Sequence, residues 1–127
     1  MIQLWELNKK KLHVDGLVAS NLLTLCNRLN KLRAIWGKPM IITSGLRSED
    51  EQANLIKAGK SNAKKSKHLI GMAADILDPE NKLDEWLEQN AKVLEEIGLW
   101  VERKDSTPGW THLQCCPPNS GNRFFKP

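Results

Sequence analysis

Two histidines and one aspartate are the residues of this chain whose types and spacing can do chemistry. Ser66-Lys67-His68-Leu69-Ile70-Gly71-Met72-Ala73-Ala74-Asp75 carries one imidazole and one carboxylate, and Trp110-Thr111-His112 supplies a second imidazole much later. Neutral imidazoles and a carboxylate suit zinc, and three protein ligands leave a fourth position open for water. A bound ion of this kind polarises carbonyls and lowers the pKa of its water toward about 7. Hydrolysis also needs a general base, and a cation or dipole for the developing oxyanion. By spacing alone, two structural histidines and an aspartate paired with Arg47 explain the same residues.

The cation has one clear candidate. Arg47, in Ser44-Gly45-Leu46-Arg47-Ser48, follows an apolar strand and precedes a helix, where a guanidinium can reach into a cleft. The base depends on a hairpin. If Lys104 and Trp110 flank the turn-rich loop Asp105-Ser106-Thr107-Pro108-Gly109, Glu102 falls opposite His112. Cross-strand partners have Cβ atoms roughly 4.5–5.5 Å apart, so Glu102 would face the same ion. A slip of one residue would turn it to the other face, and Asp105 in the loop is the fallback. Trp110 shares a face with His112 and is placed to line a cleft. Cys116 shares that face too, but lies about 13 Å along the strand at roughly 3.3 Å per residue, while Cys115 points the other way.

Helices and short strands must position these groups. Leu22, Leu25, Leu29, Leu32 and Trp36 step by four and three from Val18, as one buried helix face does, with Asp15 able to cap the start and Gly37 and Pro39 stopping it. Residues 39–43 read as a strand, and Ser48 with Glu51 as a capping box for a helix through about Ala58. Residues 59–66 form a polar loop, and 72–77 a strand. Asp78-Pro79 then starts a third helix with Leu83, Trp86 or Leu87, Ala91 and Leu94 on its apolar face, closed by Gly98. Strands over 99–104 and 110–114 follow, and beyond Pro117-Pro118 the tail reads as irregular. The class is α+β: a small, mainly antiparallel sheet with about three helices. Trp5, Trp36, Trp86 and Trp100 are expected in the core, and His13 at the surface.

A chain of 127 residues is expected to form one domain, with its motifs in residues 39–114. Net charge is +4, too weak a basic balance for a nucleic-acid partner. Lys57, Lys60, Lys64, Lys65 and Lys67 cluster before His68 as a solvated loop or an attraction for an anionic polymer. Cys26, Cys115 and Cys116 are odd in number, and adjacent cysteines rarely bridge each other, so reduced thiols are expected. No apolar run is long enough to insert in a membrane, and Met1-Ile2-Gln3-Leu4-Trp5-Glu6 lacks a signal-peptide pattern. Synthesis in the cytoplasm and a monomeric state are expected.

Ser66, His68, Gly71, Ala73 and Asp75 together form Ser-x-His-x-x-Gly-x-Ala-x-Asp. This frame resembles the zinc signature of the D-Ala-D-Ala carboxypeptidase and L-alanyl-D-glutamate endopeptidase family. Trp110-x-His112 resembles its third-ligand motif, and Ser44-Gly45-Leu46-Arg47 its Ser-Gly-x-Arg segment, all in the family's order. The resemblance implies one zinc ion on His68, Asp75 and His112, Arg47 as a substrate or oxyanion contact, and Ser66 as a supporting hydrogen-bonding residue. Many members carry an acid three residues before the last histidine, where this chain has Gly109. Glu102 fits the pattern of small members with a glutamate on the preceding strand. Such enzymes cleave peptidoglycan peptides, and a short member without a signal sequence is similar to phage endolysins that reach the host wall after release. A non-catalytic zinc-containing wall- or protein-binding module and a virion-associated wall-penetrating component are the alternatives.

Overall fold

The computed structural model describes residues 1–61 and 65–127, so Lys64 of the lysine cluster lies outside the described residues. After a short 3₁₀ turn, Leu4–Asn8, helix α1 runs Gly16–Trp36. The Asp15 carboxylate accepts the Val18 N–H at its start, and Gly37 at φ 78° ends it by donating to the Arg33 carbonyl. Strand β1 is Ile42–Ser44, and α2, Glu49–Lys57, opens on the Ser48/Glu51 capping box. Strand β2 is Ala73–Leu77, β3 Trp100–Glu102 and β4 Trp110–Gln114.

Two helices stand where one was expected. They are α3, Lys82–Gln89, and α4, Ala91–Ile97. The cause is Asn90. Its side chain donates to the Trp86 carbonyl at 2.8 Å, and its backbone N–H reaches back only to Leu87. A side chain that satisfies the preceding turn locally competes with the helix ladder and breaks it. The start is also later than Asp78-Pro79, because Asn81 takes a left-handed conformation while the Asp78 carboxylate accepts the Leu83 and Asp84 N–H groups.

The sheet has five strands in the order β1-β2-β4-β3-β5, antiparallel except for its last pair. The fifth corrects the expectation of an irregular tail. Phe124–Phe125, β5, pairs in parallel with β3, whose outer edge would otherwise be bare. Alternation along the strands splits the sheet into two faces. Ile42, Ala74, Ile76, Val101 and Leu113 pack into a core with Leu22, Leu25, Leu29 and Leu32 of α1 and Leu83, Leu87 and Leu94 of α3 and α4. The opposite face carries Asp75, Glu102, His112 and Gln114. All three cysteines are free. Among the described residues no helix is long and apolar enough to cross a membrane.

The tryptophans correct another expectation. Trp5 is 65% exposed, and Trp36, Trp86 and Trp100 are only half-buried. Leucine fills the core instead. Indoles, being large and amphipathic, sit at its margin, two of them under cations: Lys38 over Trp36 and Arg123 over Trp100.

Beneath β4, Asp84 is buried beside Asp78 and accepts from the Asn81 amide at 2.7 Å. Burial pushes its carboxyl up to about 6, against the Asn81 hydrogen bond and with help from the Asp78 charge. The folded value lies above the unfolded value of about 3.9, so the folded state holds this proton more tightly. The resulting stabilisation is full below about pH 4 and is lost as pH rises through about 6. In thermal melts, Asp84→Asn should therefore gain on the parent by about 2–3 kcal/mol between about pH 4 and pH 7. An equal parent–variant difference at both pH values contradicts this.

Candidate metal centre

One row across the sheet assembles the site. Ser44 of β1 is the partner of Asp75 in β2, and Asp75 the partner of His112 in β4. The β3–β4 register pairs Trp100 with Gln114 and Val101 with Leu113, so the next position sets Glu102 opposite His112. This is the expected register, although β3 ends at Glu102 and a 3₁₀ turn, Lys104–Ser106, stands where its last residue and the start of the five-residue loop were expected. Glu102 in turn is paired with Phe125 of β5. Every strand contributes one residue to the row.

Two loops cover it. Ser66 caps the 3₁₀ turn Lys67–Ile70 by accepting the His68 N–H, and Gly71 at φ 75° closes that turn. A side chain at Gly71 would strike Leu22, so the glycine both ends the turn and lets it pack on α1. The Ser44–Ser48 segment lies on the N-terminal 3₁₀ turn, with Leu46 N–H donating to the Leu7 carbonyl at 2.8 Å. Any Cβ on Gly45 would collide with that same Leu7 carbonyl, so only glycine allows the approach. The Gly45 carbonyl then faces His68 Nδ1 at 2.8 Å.

Asp75 is the hub. Its Oδ1 lies 3.3 Å from His68 Nε2 and 3.0 Å from His112 Nδ1, and its Oδ2 accepts from Arg47 Nη2 at 3.1 Å. Arg47 is held in turn by Ser44 Oγ and Gln52 Oε1, both at 3.0 Å. Burial alone would raise the Asp75 pKa, but a proton on the facing nitrogen of His112 or His68 would donate to the carboxylate, and these hydrogen bonds outweigh burial and hold the carboxyl well below the usual range. Burial lowers the His68 pKa. His112 is also buried, yet the Asp75 hydrogen bond and the Glu102 charge reverse the effect and raise it.

The tautomers follow from the partners. Gly45 offers His68 only a carbonyl, so Nδ1 carries the proton and Nε2 keeps its lone pair. His112 Nε2 faces Gln114 Oε1 at 3.0 Å, and the Gln114 amide nitrogen is committed to the Cys116 carbonyl at 2.9 Å. His112 Nε2 is therefore the donor and Nδ1 the lone pair. Both neutral rings thus aim acceptors at an ionised carboxylate oxygen, and one ligand atom from each of the three residues lies within 4.8 Å of the others. An all-acceptor cluster of this kind calls for a cation, and two nitrogens with one carboxylate fit zinc.

The remaining groups line a cleft of about 440 Å³, among them Arg47, Lys60, Ser66, Glu102, Ser106 and Trp110. Glu102 Oε1 stands 3.8 Å from His112 Nε2, and burial raises its pKa. Asp105 does not join them. It is exposed, 3.6 Å from Arg103, and outside the cleft lining. Gly109, where an acid stands in many similar sequences, is a turn residue at φ 93° whose N–H donates to Asn81. Gln114 is the functional residue that sequence reasoning missed. Its signal was present, since it follows His112 by two residues and a strand repeats its face every second residue.

The profile of a family described as Peptidase M15 matches residues 2–114. Among solved structures, the chain is similar to the Serratia marcescens L-Ala D-Glu endopeptidase ChiX, with 21% identity and a TM-score of 0.53 over 84% of this chain and 92% of that one. No curated protein matches.

If Gln114 sets the His112 tautomer, Gln114→Leu should bind zinc about tenfold more weakly, as loss of an outer hydrogen-bond partner usually does. Isothermal titration calorimetry measures this directly, and parent-like affinity contradicts the role.

Proposed function

The chain belongs to the Peptidase M15 family, and on that premise we propose that it is a zinc-dependent peptidase that hydrolyses the peptide part of bacterial peptidoglycan. The observation that carries the reading is the convergence of His68 Nε2, His112 Nδ1 and Asp75 Oδ1 beside a half-buried glutamate in a cleft. In this reading those three residues hold one zinc ion. When bound, zinc supplies Lewis acidity and makes hydroxide accessible near neutral pH.

The chain's own groups do the rest. Glu102 takes a proton from the attacking water and returns it to the leaving amine nitrogen. Its raised pKa, caused by burial, makes it the stronger base. Arg47 spends three donors on Ser44, Gln52 and Asp75, and its remaining N–H groups are available to the substrate carbonyl oxygen or a substrate carboxylate. Trp110 forms an apolar wall, and Ser66 maintains the turn that presents His68.

The role that fits is a phage-type endolysin, a monomer made in the cytoplasm that acts on the host wall after release. A net charge of +4 suits an anionic envelope. The L-Ala–D-Glu bond named for the Serratia structure is the first to examine, with D-Ala-D-Ala carboxypeptidase cleavage as its competitor.

Mass spectrometry of muropeptides from purified peptidoglycan tests the reading. Zinc-loaded protein should release new peptide termini, and chelator-stripped protein none. His68→Ala, Asp75→Ala and His112→Ala should lose zinc and cleavage together. Glu102→Gln should keep its zinc, measured by atomic emission, while kcat falls by at least about 100-fold. Undiminished turnover in Glu102→Gln removes it as the base, and cleavage indifferent to zinc sinks the whole reading.

A further inference from the structure

The row across the sheet has a fifth member that this mechanism leaves unused. Phe125 is the partner of Glu102 across β3 and β5, so both side chains leave the same face of the sheet. Its ring stands edge-to-face with that of His112, centroids 6.1 Å apart and planes at 85°, within the range of favourable aromatic pairs. Phe125 is 6% exposed, as buried as the core. Two residues on, Pro127 lines the same cleft as Glu102 and Trp110.

The strand is pinned down away from the site. Arg123 Nη1 donates to the Leu99 carbonyl at 2.9 Å, and its guanidinium lies 4.3 Å from the Trp100 ring centroid. Val101 N–H donates to the Arg123 carbonyl, and Arg103 N–H to that of Phe125. Arg123, Phe125 and Pro127 themselves lie beyond the residues matched by the family profile, 2–114.

What Phe125 adds follows from how His112 is held. Its polar contacts, Asp75 at Nδ1 and Gln114 with the more distant Glu102 at Nε2, all act at the ring nitrogens. Rotation of the ring about its Cβ–Cγ bond is limited further by the rings packed against it at steep angles, Phe125 on β5 and His68, 5.2 Å away at 66°.

We propose that Phe125 is a positioning residue of the active site: β5 seats its ring against His112, beside Glu102, and so fixes the orientation of one metal ligand relative to the base. The kinetic part rests on the peptidase reading, but the part concerning metal affinity does not.

Phe125→Leu keeps most of the apolar volume and removes the ring. Competition with a chromophoric chelator should show zinc affinity about tenfold weaker than the parent's, the size of other outer-contact losses. With muropeptide substrate, kcat should fall about tenfold while KM stays within about twofold, a split that a general loss of folded protein does not produce. Parent-like zinc affinity and kcat in Phe125→Leu overturn the proposal, as does a loss fully accounted for by the unfolded fraction. If Phe125→Leu does not fold, Arg123→Gln loosens β5 without touching His112, and parent-like zinc affinity in that variant overturns it equally. A parent protein that binds zinc but cleaves no muropeptide defeats the peptidase reading, while the affinity comparison still decides Phe125.

Discussion

A buried carboxylate costs free energy unless donors or positive charge surround it, and Asp75, 8% exposed in the middle of the sheet, is such a group. Much of the surrounding architecture answers that constraint. The β1 turn delivers the Arg47 guanidinium to one oxygen, while the 3₁₀ turn after Ser66 and strand β4 bring neutral imidazoles to the other, where a cation between them would complete the compensation. Arg47 is steadied by Ser44, the neighbour of Asp75 in the same row, so the counter-charge and the carboxylate share one scaffold. The glycine of the Arg47 turn has a packing reason, and so has the one that closes the turn bearing His68.

The second level of order is the choice of tautomer. A ring nitrogen becomes a ligand only if the other nitrogen is kept protonated, and here a backbone carbonyl does this for His68 and a side-chain amide for His112. Neither acceptor can exchange roles. The Gly45 oxygen has no proton to give, and the Gln114 amide is fixed by Cys116. The Cys115-Cys116 pair enters this arrangement through the Cys116 backbone carbonyl, which holds the Gln114 amide.

How much of this was legible before the structure depended on how local the cause was. Helix α1 could be read because its caps, Asp15 and Gly37, and its apolar stripe lie within one segment. The β3–β4 register could be read because the turn-rich residues 105–109 centre the hairpin, and with it the place of Glu102, even though β3 stops short at Glu102. The break at Asn90 could not, since it turns on one amide choosing the Trp86 carbonyl over solvent. Strand β5 was hidden for a different reason. Two residues carry no periodicity, and Phe124–Phe125 becomes a strand only because β3 offers an edge. The tryptophans misled because hydrophobicity was read without size: leucines closed the core and left the indoles at its rim.

The central claim is that Asp75 and two preset ring nitrogens form a single cation site. Diffraction from crystals of the zinc-loaded protein, collected on both sides of the zinc absorption edge, tests it most directly. The account predicts one anomalous peak in contact with His68 Nε2, His112 Nδ1 and Asp75, with Gln114 still on His112 Nε2. A peak on His112 Nε2, on Cys115 or Cys116, or none at this cluster would contradict it.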